Sequence, residues 1–296
     1  MPLGKYADQP PRGYVVRDKL LRKQSDAHAE GGRIFIQLMH AGRMSHPDNT
    51  PHHRKGVAPS AIAPGAPMFT ATGMQEIPVP RALTTDEVRR TVADFRHAAR
   101  RAIEAGADGV EIHGANAYLV HQFFAPSANT RTDAYGGSIE NRARFAIEVA
   151  EAVAEDIGAD RTAIRLSPGT AMHGIDEGEQ GPELYRYLVA ALDKLGLAYL
   201  HLLHLGNEPL LADLRKLWTR TLILNRPGHP REQIGTDVAS GMADLEAYGQ
   251  MVLANPDFVA RLKTDAPMNE ADRNTFFGGG AQGYIDYPAL SEAVVA

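Results

Sequence analysis

The sequence contains no cysteine. This absence excludes disulfides, a thiolate nucleophile and a cysteine-ligated iron–sulfur cluster, and it fits a reducing compartment. No run of residues approaches the roughly 18 apolar residues of a membrane-spanning helix. The N-terminal segment also lacks the apolar core of a secretory signal. We therefore expect a cytoplasmic protein that does not act at a membrane.

The sequence also has no excess of basic residues. The formal net charge is −5, and the isoelectric point is about 6.2. No segment has the basic character that attracts a phosphate backbone, so nucleic acid is not an expected partner. The chain has 296 residues, of which 44% are hydrophobic, and it is long enough to bury a large core.

Short apolar segments alternate with amphipathic ones along most of the chain. The predicted strands are 33–39, 109–112, 162–167, 197–203, 221–225 and 243–249, and the predicted helices are about 15–30, 84–106, 138–157, 181–195, 208–218 and 231–239. This alternation predicts a parallel sheet with both faces covered. Its repetition favours an α/β fold of the (β/α)8 TIM-barrel type.

Six strands are predicted, whereas a closed barrel of this type has eight. We therefore expect the first one or two strands to be missing from the front of a single TIM-barrel-like domain over residues 1–296. A Pro-rich excursion at about residues 44–83 has no helical period and predicts a small hairpin or lid. An open arrangement would leave a sheet edge uncovered, which points to a possible homo-oligomer.

The polar loop that follows the predicted strand 109–112 is the first candidate site. His113 and Asn116 lie three residues apart, close enough for both to donate to one substrate oxygen, and Tyr118 adds a phenolic proton nearby. Two neutral donors aimed at a carbonyl would stabilise negative charge that develops on its oxygen. The same spacing also allows a purely structural role, in which these side chains satisfy backbone groups at the end of the strand.

Two other polar groups have simpler interpretations. His40, His46, His52 and His53 cluster in and before the Pro-rich excursion, but no carboxylate pattern accompanies them, so a solvated loop is favoured over a metal site. Arg142 and Arg144 are expected on a solvated helix face or in local salt bridges.

Five segments occur in an order that resembles one family. They read GGRIFIQLMHAGRMSHP, HGANAYLVHQFFAPSANTRTDAYGGSIENRARF, AIRLSP, LANPDF and DRNTFFGGGAQGYIDYPAL. Together they resemble the Old Yellow Enzyme family of flavin-dependent ene-reductases, over roughly Gly31 to the C-terminus. The second segment is the most specific, because it extends over more than thirty residues.

The resemblance implies a TIM barrel that holds FMN, uses NAD(P)H as reductant and reduces the C=C bond of an alkene activated by a carbonyl or nitro group. It assigns the grip on the substrate oxygen to His113 and Asn116, and proton delivery to Tyr118. It assigns flavin binding and the substrate pocket to further positions. The implied flavin ligands are Gln37, Arg165, Asn225, Gly228, Gly249 and Gln250, and the implied pocket residues are Met39, Phe276 and Phe277.

Two departures from the family pattern fall on the side expected to hold the flavin phosphate. Asn225-Arg226-Pro227-Gly228 stands where the family has a pair of glycines, and Pro227 has no N–H to donate. Gly249-Gln250 stands where the family has Gly-Arg, which removes a bidentate phosphate partner. These changes motivate an alternative function, a flavin-deficient shortened paralogue that acts as a non-enzymatic binding or interaction protein.

Overall fold

A computed structural model describes residues 27–276 and 280–290. The chain divides into two compact units, the first ending at Leu245 and the second beginning at Glu246. A single domain over residues 1–296 stays a prediction. The helix predicted at 15–30 lies almost entirely outside the described residues.

The first unit is built on a parallel sheet, as the sequence predicts. Its strands are β1 (Phe35–Leu38), β6 (Gly109–Gly114), β7 (Thr162–Leu166), β8 (Tyr199–Leu203) and β9 (Thr221–Asn225), and neighbours in this order pair in parallel. The sixth strand in the sheet order is β10 (Leu245–Glu246), which has only two residues and lies at the unit boundary. It is shorter than the predicted strand 243–249.

Long helices follow the strands at nearly the predicted positions. They are α1 (Thr85–Glu104), α3 (Ile139–Ile157), α4 (Gly181–Asp193) and α5 (Glu208–Leu217), and a short helix, α2 (Leu119–Phe124), precedes α3. A capping box begins α1, since the hydroxyl of Thr84 accepts the backbone N–H of Glu87 and the carboxylate of Glu87 accepts the backbone N–H of Thr84. The helix predicted at 231–239 is wrong in extent. Gly235, with φ +85°, separates a 3₁₀ turn (Arg231–Gln233) from the short helix α6 (Thr236–Ala239).

The two faces of the sheet differ sharply in polarity. Successive side chains of a strand point to opposite faces, so the register assigns each residue to one of them. The face toward the helices carries the apolar residues of the main core, among them Val110, Ile112, Ile164, Leu166, Leu200, Leu202, Leu222 and Leu224. The opposite face carries Gln37, Glu111, His113, Arg165 and His201, which are register neighbours across β1, β6, β7 and β8. Polar groups are therefore concentrated on the inner face of the sheet.

The Pro-rich excursion contains the predicted hairpin. Strands β3 (Pro67–Thr70) and β4 (Gly73–Glu76) pair antiparallel, and β2 (Val57–Ala58) pairs in parallel with β5 (Arg81–Ala82).

The expectation that Arg142 lies on a solvated helix face or in a local salt bridge is wrong. Its side chain is 2% exposed and donates to the carbonyl oxygens of Phe124 and Gly137 and to Gln180 Oε1. It ties loops together because bent backbone leaves carbonyl oxygens without partners.

The second unit contains two short helices, α7 (Gln250–Ala254) and α8 (Phe258–Thr264). Arg261 is buried in it and donates to Asp257 Oδ1 at 2.6 Å and to the carbonyl oxygen of Pro288 at 2.7 Å. No helix among the described residues has both the length and the apolar character needed to cross a membrane.

Candidate active site

His113 lies near the end of β6 and is 3% exposed. Its Nδ1 accepts the backbone N–H of Ala115 at 3.3 Å, so the proton of the neutral ring is on Nε2. Burial, followed by the charge of Arg165, lowers the pKa of His113 from 6.5 to about 4. At neutral pH, His113 is therefore an uncharged hydrogen-bond donor.

Asn116 and Ala117 form an unusual turn directly after this strand. Both have left-handed backbone conformations, with φ values of +54° and +64°. Residues other than glycine adopt this conformation at an energetic cost. The backbone N–H of Asn116 donates to Ser167 Oγ at 2.9 Å. The side-chain Oδ1 of Asn116 is buried and has no hydrogen-bond partner among the described residues. The turn thus holds an unsatisfied amide beside His113.

Tyr118 is the N-cap of α2 and is partly buried. Its ring packs edge-on against the imidazole of His113, with the centroids 4.9 Å apart and the planes at 78°. The sequence prediction that the loop brings His113, Asn116 and Tyr118 together therefore agrees with the geometry. Their chemical roles are a separate question.

Arg165 extends from β7 beside His113, its register neighbour. The Nε of Arg165 is buried without a hydrogen-bond partner in the described part of the chain, and no described carboxylate forms an ion pair with the guanidinium. Burial lowers the pKa of Arg165, and the charge of Glu111 opposes that shift. An unpaired, partly buried guanidinium is a strong attractor for an anionic ligand.

Gln37 belongs to a network that the sequence did not reveal. Its Nε2 donates to Glu111 Oε1 at 2.6 Å, and His201 Nδ1 bonds to Glu111 Oε2 at 2.9 Å. Despite burial, the bond from His201 and its charge keep the pKa of Glu111 below its usual value. Because an ionised carboxylate only accepts, it fixes the amide of Gln37 with the carbonyl oxygen left for another donor. The sequence signal that could have indicated this network is the placement of charged residues at alternate positions of the predicted strands.

The arginine that follows β9 is paired with carboxylates, unlike Arg165. Arg226 donates to Asp237 Oδ2 at 2.8 Å and to Glu208 Oε1 at 2.6 Å. The bond from Glu208, then that from Asp237, raises the pKa of Arg226. Its charge is neutralised locally by these two carboxylates, so Arg226 is not an open cation for a phosphate group. Gly228 has φ +79° and open space around its α-carbon, and Asn225 is the last residue of the strand.

The other predicted positions are more dispersed. Met39 is 52% exposed just after β1. Gly249 is the N-cap of α7 and Gln250 its first residue, so both belong to the second unit, as does Phe276. Phe277 lies outside the described residues. No group of three or more His, Asp or Glu side chains in residues 27–276 and 280–290 is arranged to hold a metal ion.

Comparison with known proteins places this geometry in a family. The family model described as NADH:flavin oxidoreductase / NADH oxidase matches residues 20–269. The chain belongs to this family. It is therefore a member of the Old Yellow Enzyme family, as its motifs predict. It is a flavin-dependent oxidoreductase with FMN as cofactor, and the match favours the enzyme over the non-enzymatic alternative.

Individual relatives agree with this assignment. 12-Oxophytodienoate reductase 2 of Arabidopsis thaliana is 41% identical over 276 residues, which cover 89% of this chain and 73% of that protein. A probable flavin mononucleotide-dependent alkene reductase of Leishmania infantum is 41% identical over 280 residues, covering 91% and 76%. The structure of morphinone reductase in complex with tetrahydroNAD superposes with a TM-score of 0.87 at 41% identity, covering 94% of this chain and 78% of that one. The TIM-barrel type of fold is thereby confirmed.

The described residues fit the ring portion of FMN. The flavin ring presents hydrogen-bond donors and acceptors along its pyrimidine edge and becomes negatively charged there on reduction. The buried Nε of Arg165, which has no partner among the described residues, and the oriented amide of Gln37 are a cation and an acceptor that would complement that edge. On the phosphate side, Arg226 is already paired with carboxylates. The inner face of the sheet therefore matches the ring, whereas Arg226 contributes no open cation for the phosphate.

Proposed function

We propose that this protein reduces the C=C bond of alkenes activated by a carbonyl or nitro group, with His113, Asn116 and Tyr118 as the residues that act on the substrate. The observation that carries the proposal is the pair of neutral polar side chains at the end of β6. His113 offers Nε2–H, and the buried side-chain Oδ1 of Asn116 has no hydrogen-bond partner among the described residues, so this amide is open to a ligand. The backbone N–H of Ala115 donates to His113 Nδ1 and the backbone N–H of Asn116 donates to Ser167 Oγ, and these bonds hold the end of the strand.

Each residue has a defined task. The Nε2–H of His113 and the amide N–H of Asn116 donate to the substrate oxygen, and they stabilise the negative charge that accumulates on it. Bound FMN would supply the hydride chemistry, with NAD(P)H as the reductant. Tyr118 donates its phenolic proton to the α-carbon, so that one hydride and one proton saturate the bond. The neutral state of His113 matters because a second cation beside Arg165 would be electrostatically unfavourable.

The test is anaerobic reoxidation of the dithionite-reduced protein by 2-cyclohexenone. Reduction by dithionite bypasses the nicotinamide step, so the measured rate reports on the alkene step alone. The double variant His113→Ala/Asn116→Ala should slow reoxidation by about 10²- to 10³-fold, as expected on removal of oxyanion-type donors. Tyr118→Phe should slow formation of the saturated product by about 10²-fold or more. A wild-type protein that takes up no FMN, or whose reduced form ignores the alkene, would refute the proposal.

A further inference from the structure

A buried polar cluster lies beneath the loop that carries these residues, and the proposed reaction does not use it. His121 of α2 and Tyr185 of α4 are fully buried, and Glu177, from the segment between β7 and α4, is 9% exposed. His121 Nε2 bonds to Glu177 Oε1 at 2.8 Å, and the hydroxyl of Tyr185 donates to the same oxygen at 2.7 Å. Glu177 Oε2 accepts the backbone N–H of Gly169 at 2.9 Å.

The other nitrogen of His121 connects the cluster to the turn. His121 Nδ1 accepts the backbone N–H of Ala117 at 3.1 Å. An amide N–H can donate only to an unprotonated ring nitrogen, so the proton of His121 is on Nε2 and points to Glu177. Glu177 therefore fixes the tautomer, and the tautomer makes Nδ1 an acceptor for Ala117.

Ala117 needs such a partner because of its backbone. Asn116 and Ala117 are consecutive left-handed residues, and this backbone conformation has an energetic cost for any residue with a side chain. Three hydrogen bonds, two of them buried and one partly buried, offset this cost. They are Ala117 N–H to His121, the carbonyl oxygen of Ala117 to Gln122 Nε2 at 2.7 Å, and Asn116 N–H to Ser167 Oγ.

We propose that His121 and Glu177 are a positioning pair that holds the left-handed turn at Asn116–Ala117 and so aims Asn116 and Tyr118 at the substrate. The inference rests on the proposed function for the roles of Asn116 and Tyr118. The pair acts through the backbone and touches neither substrate nor flavin. Packing alone does not account for it, since apolar side chains would fill the same space without burying a carboxylate.

The first experiment compares two buried hydrogen-bond deletions. His121→Phe removes the bonds of the ring to Ala117 and Glu177 and keeps an aromatic side chain next to Phe124, whose ring centroid is 5.9 Å away. The matched control is Tyr135→Phe, which deletes a partly buried hydroxyl-to-carboxylate bond of 2.8 Å to Glu148 of α3. Both variants should be less stable. Only His121→Phe should slow alkene-driven reoxidation of the dithionite-reduced protein, by about 10- to 100-fold, since small displacements of aligned groups have effects of that size.

A second-site change tests the backbone argument. Glycine adopts positive φ without penalty, so Ala117→Gly should restore much of the reoxidation rate in the His121→Phe background. Tyr185→Phe removes one donor to Glu177 and the 3.4 Å contact of its hydroxyl with His121 Nε2, but it leaves the bonds of His121 to Glu177 and Ala117 in place. It should therefore leave the reoxidation rate close to wild type. Equal losses in Tyr185→Phe and His121→Phe, or no rescue by Ala117→Gly, would overturn the proposal.

The third readout is independent of catalysis. In ¹⁵N-histidine-labelled wild-type protein, the resonances that disappear in His121→Phe should show an unprotonated Nδ1 and a protonated Nε2. If His121→Phe does not fold, the resonances are assigned through Tyr185→Phe, which perturbs the neighbouring ring nitrogen. The opposite tautomer would overturn the positioning pair. A protein that binds no FMN or ignores the alkene would instead refute the proposed function, and the tautomer result would still stand.

Discussion

Two arginines of the first unit lie near the ends of β7 and β9, and they have opposite environments. Arg165 is partly buried with a buried Nε that has no partner among the described residues, and burial lowers its pKa. Arg226 is held by Glu208 and Asp237, whose bonds raise its pKa. A charge that is desolvated and left unpaired is unfavourable unless a ligand of opposite charge pairs with it. We therefore propose that Arg165 binds the ligand, whereas the ion pairs of Arg226 stabilise the fold.

The largest effect is expected from Arg165→Met. Charge-assisted hydrogen bonds contribute about 1.5 to 3 kcal/mol each, so FMN affinity should fall by roughly 10- to 150-fold. The FMN affinity of Arg165→Lys should lie between those of wild type and Arg165→Met, because lysine keeps the positive charge but not the planar guanidinium. Titration followed by flavin fluorescence measures both. Unchanged FMN affinity in Arg165→Met would remove Arg165 from the site.

The pH dependence of His113 offers the next test. Its pKa of about 4 lies below the ordinary 6.5, so the folded state favours the neutral ring. The stability that it contributes is complete above pH 6.5 and is lost as the pH falls toward 4, up to an amount on the order of 3 kcal/mol. His113→Asn should therefore lose less stability than wild type over that interval in denaturant titrations. In Arg165→Met the pKa of His113, followed by NMR, should rise only part of the way to 6.5, because burial remains the larger cause.

Arg226→Met should change stability more than binding. Loss of the bonds to Glu208 and Asp237 should lower the free energy of unfolding by about 1 to 3 kcal/mol, since charge-assisted hydrogen bonds to both carboxylates are removed. FMN affinity should stay close to wild type. A large loss of affinity with unchanged stability would reverse the assignment of the two arginines.

The smallest expected effect concerns the carboxylate behind Gln37. Glu111→Gln removes a negative charge near Arg165, so the reduced flavin should be favoured and its reduction potential should rise. Arg165→Met should lower it. A Coulomb change of about 1 to 2 kcal/mol corresponds to roughly 20 to 40 mV for a two-electron couple. Shifts of the same sign in both variants would contradict the electrostatic account.

The sequence predicted the parallel sheet because strand and helix periods alternate clearly from β1 to α5. It also indicated the loop at His113, because polar residues follow a buried strand there. It did not predict the burial of Arg142 or the pairing of Arg226, since both depend on loop carbonyls or carboxylates distant in sequence. The Glu111–His201 pair was missed because its partners are 90 residues apart. Contacts of this kind are set by strand register, which local patterns do not contain.

The most direct measurement is a side-by-side FMN titration of wild type, Arg165→Met and Arg226→Met after removal of bound flavin. The account predicts a loss of roughly 10-fold or more in affinity for Arg165→Met and near wild-type affinity for Arg226→Met. Equal losses in the two variants, or a loss confined to Arg226→Met, would contradict the claim that the unpaired arginine on the inner face of the sheet is the one that binds the flavin.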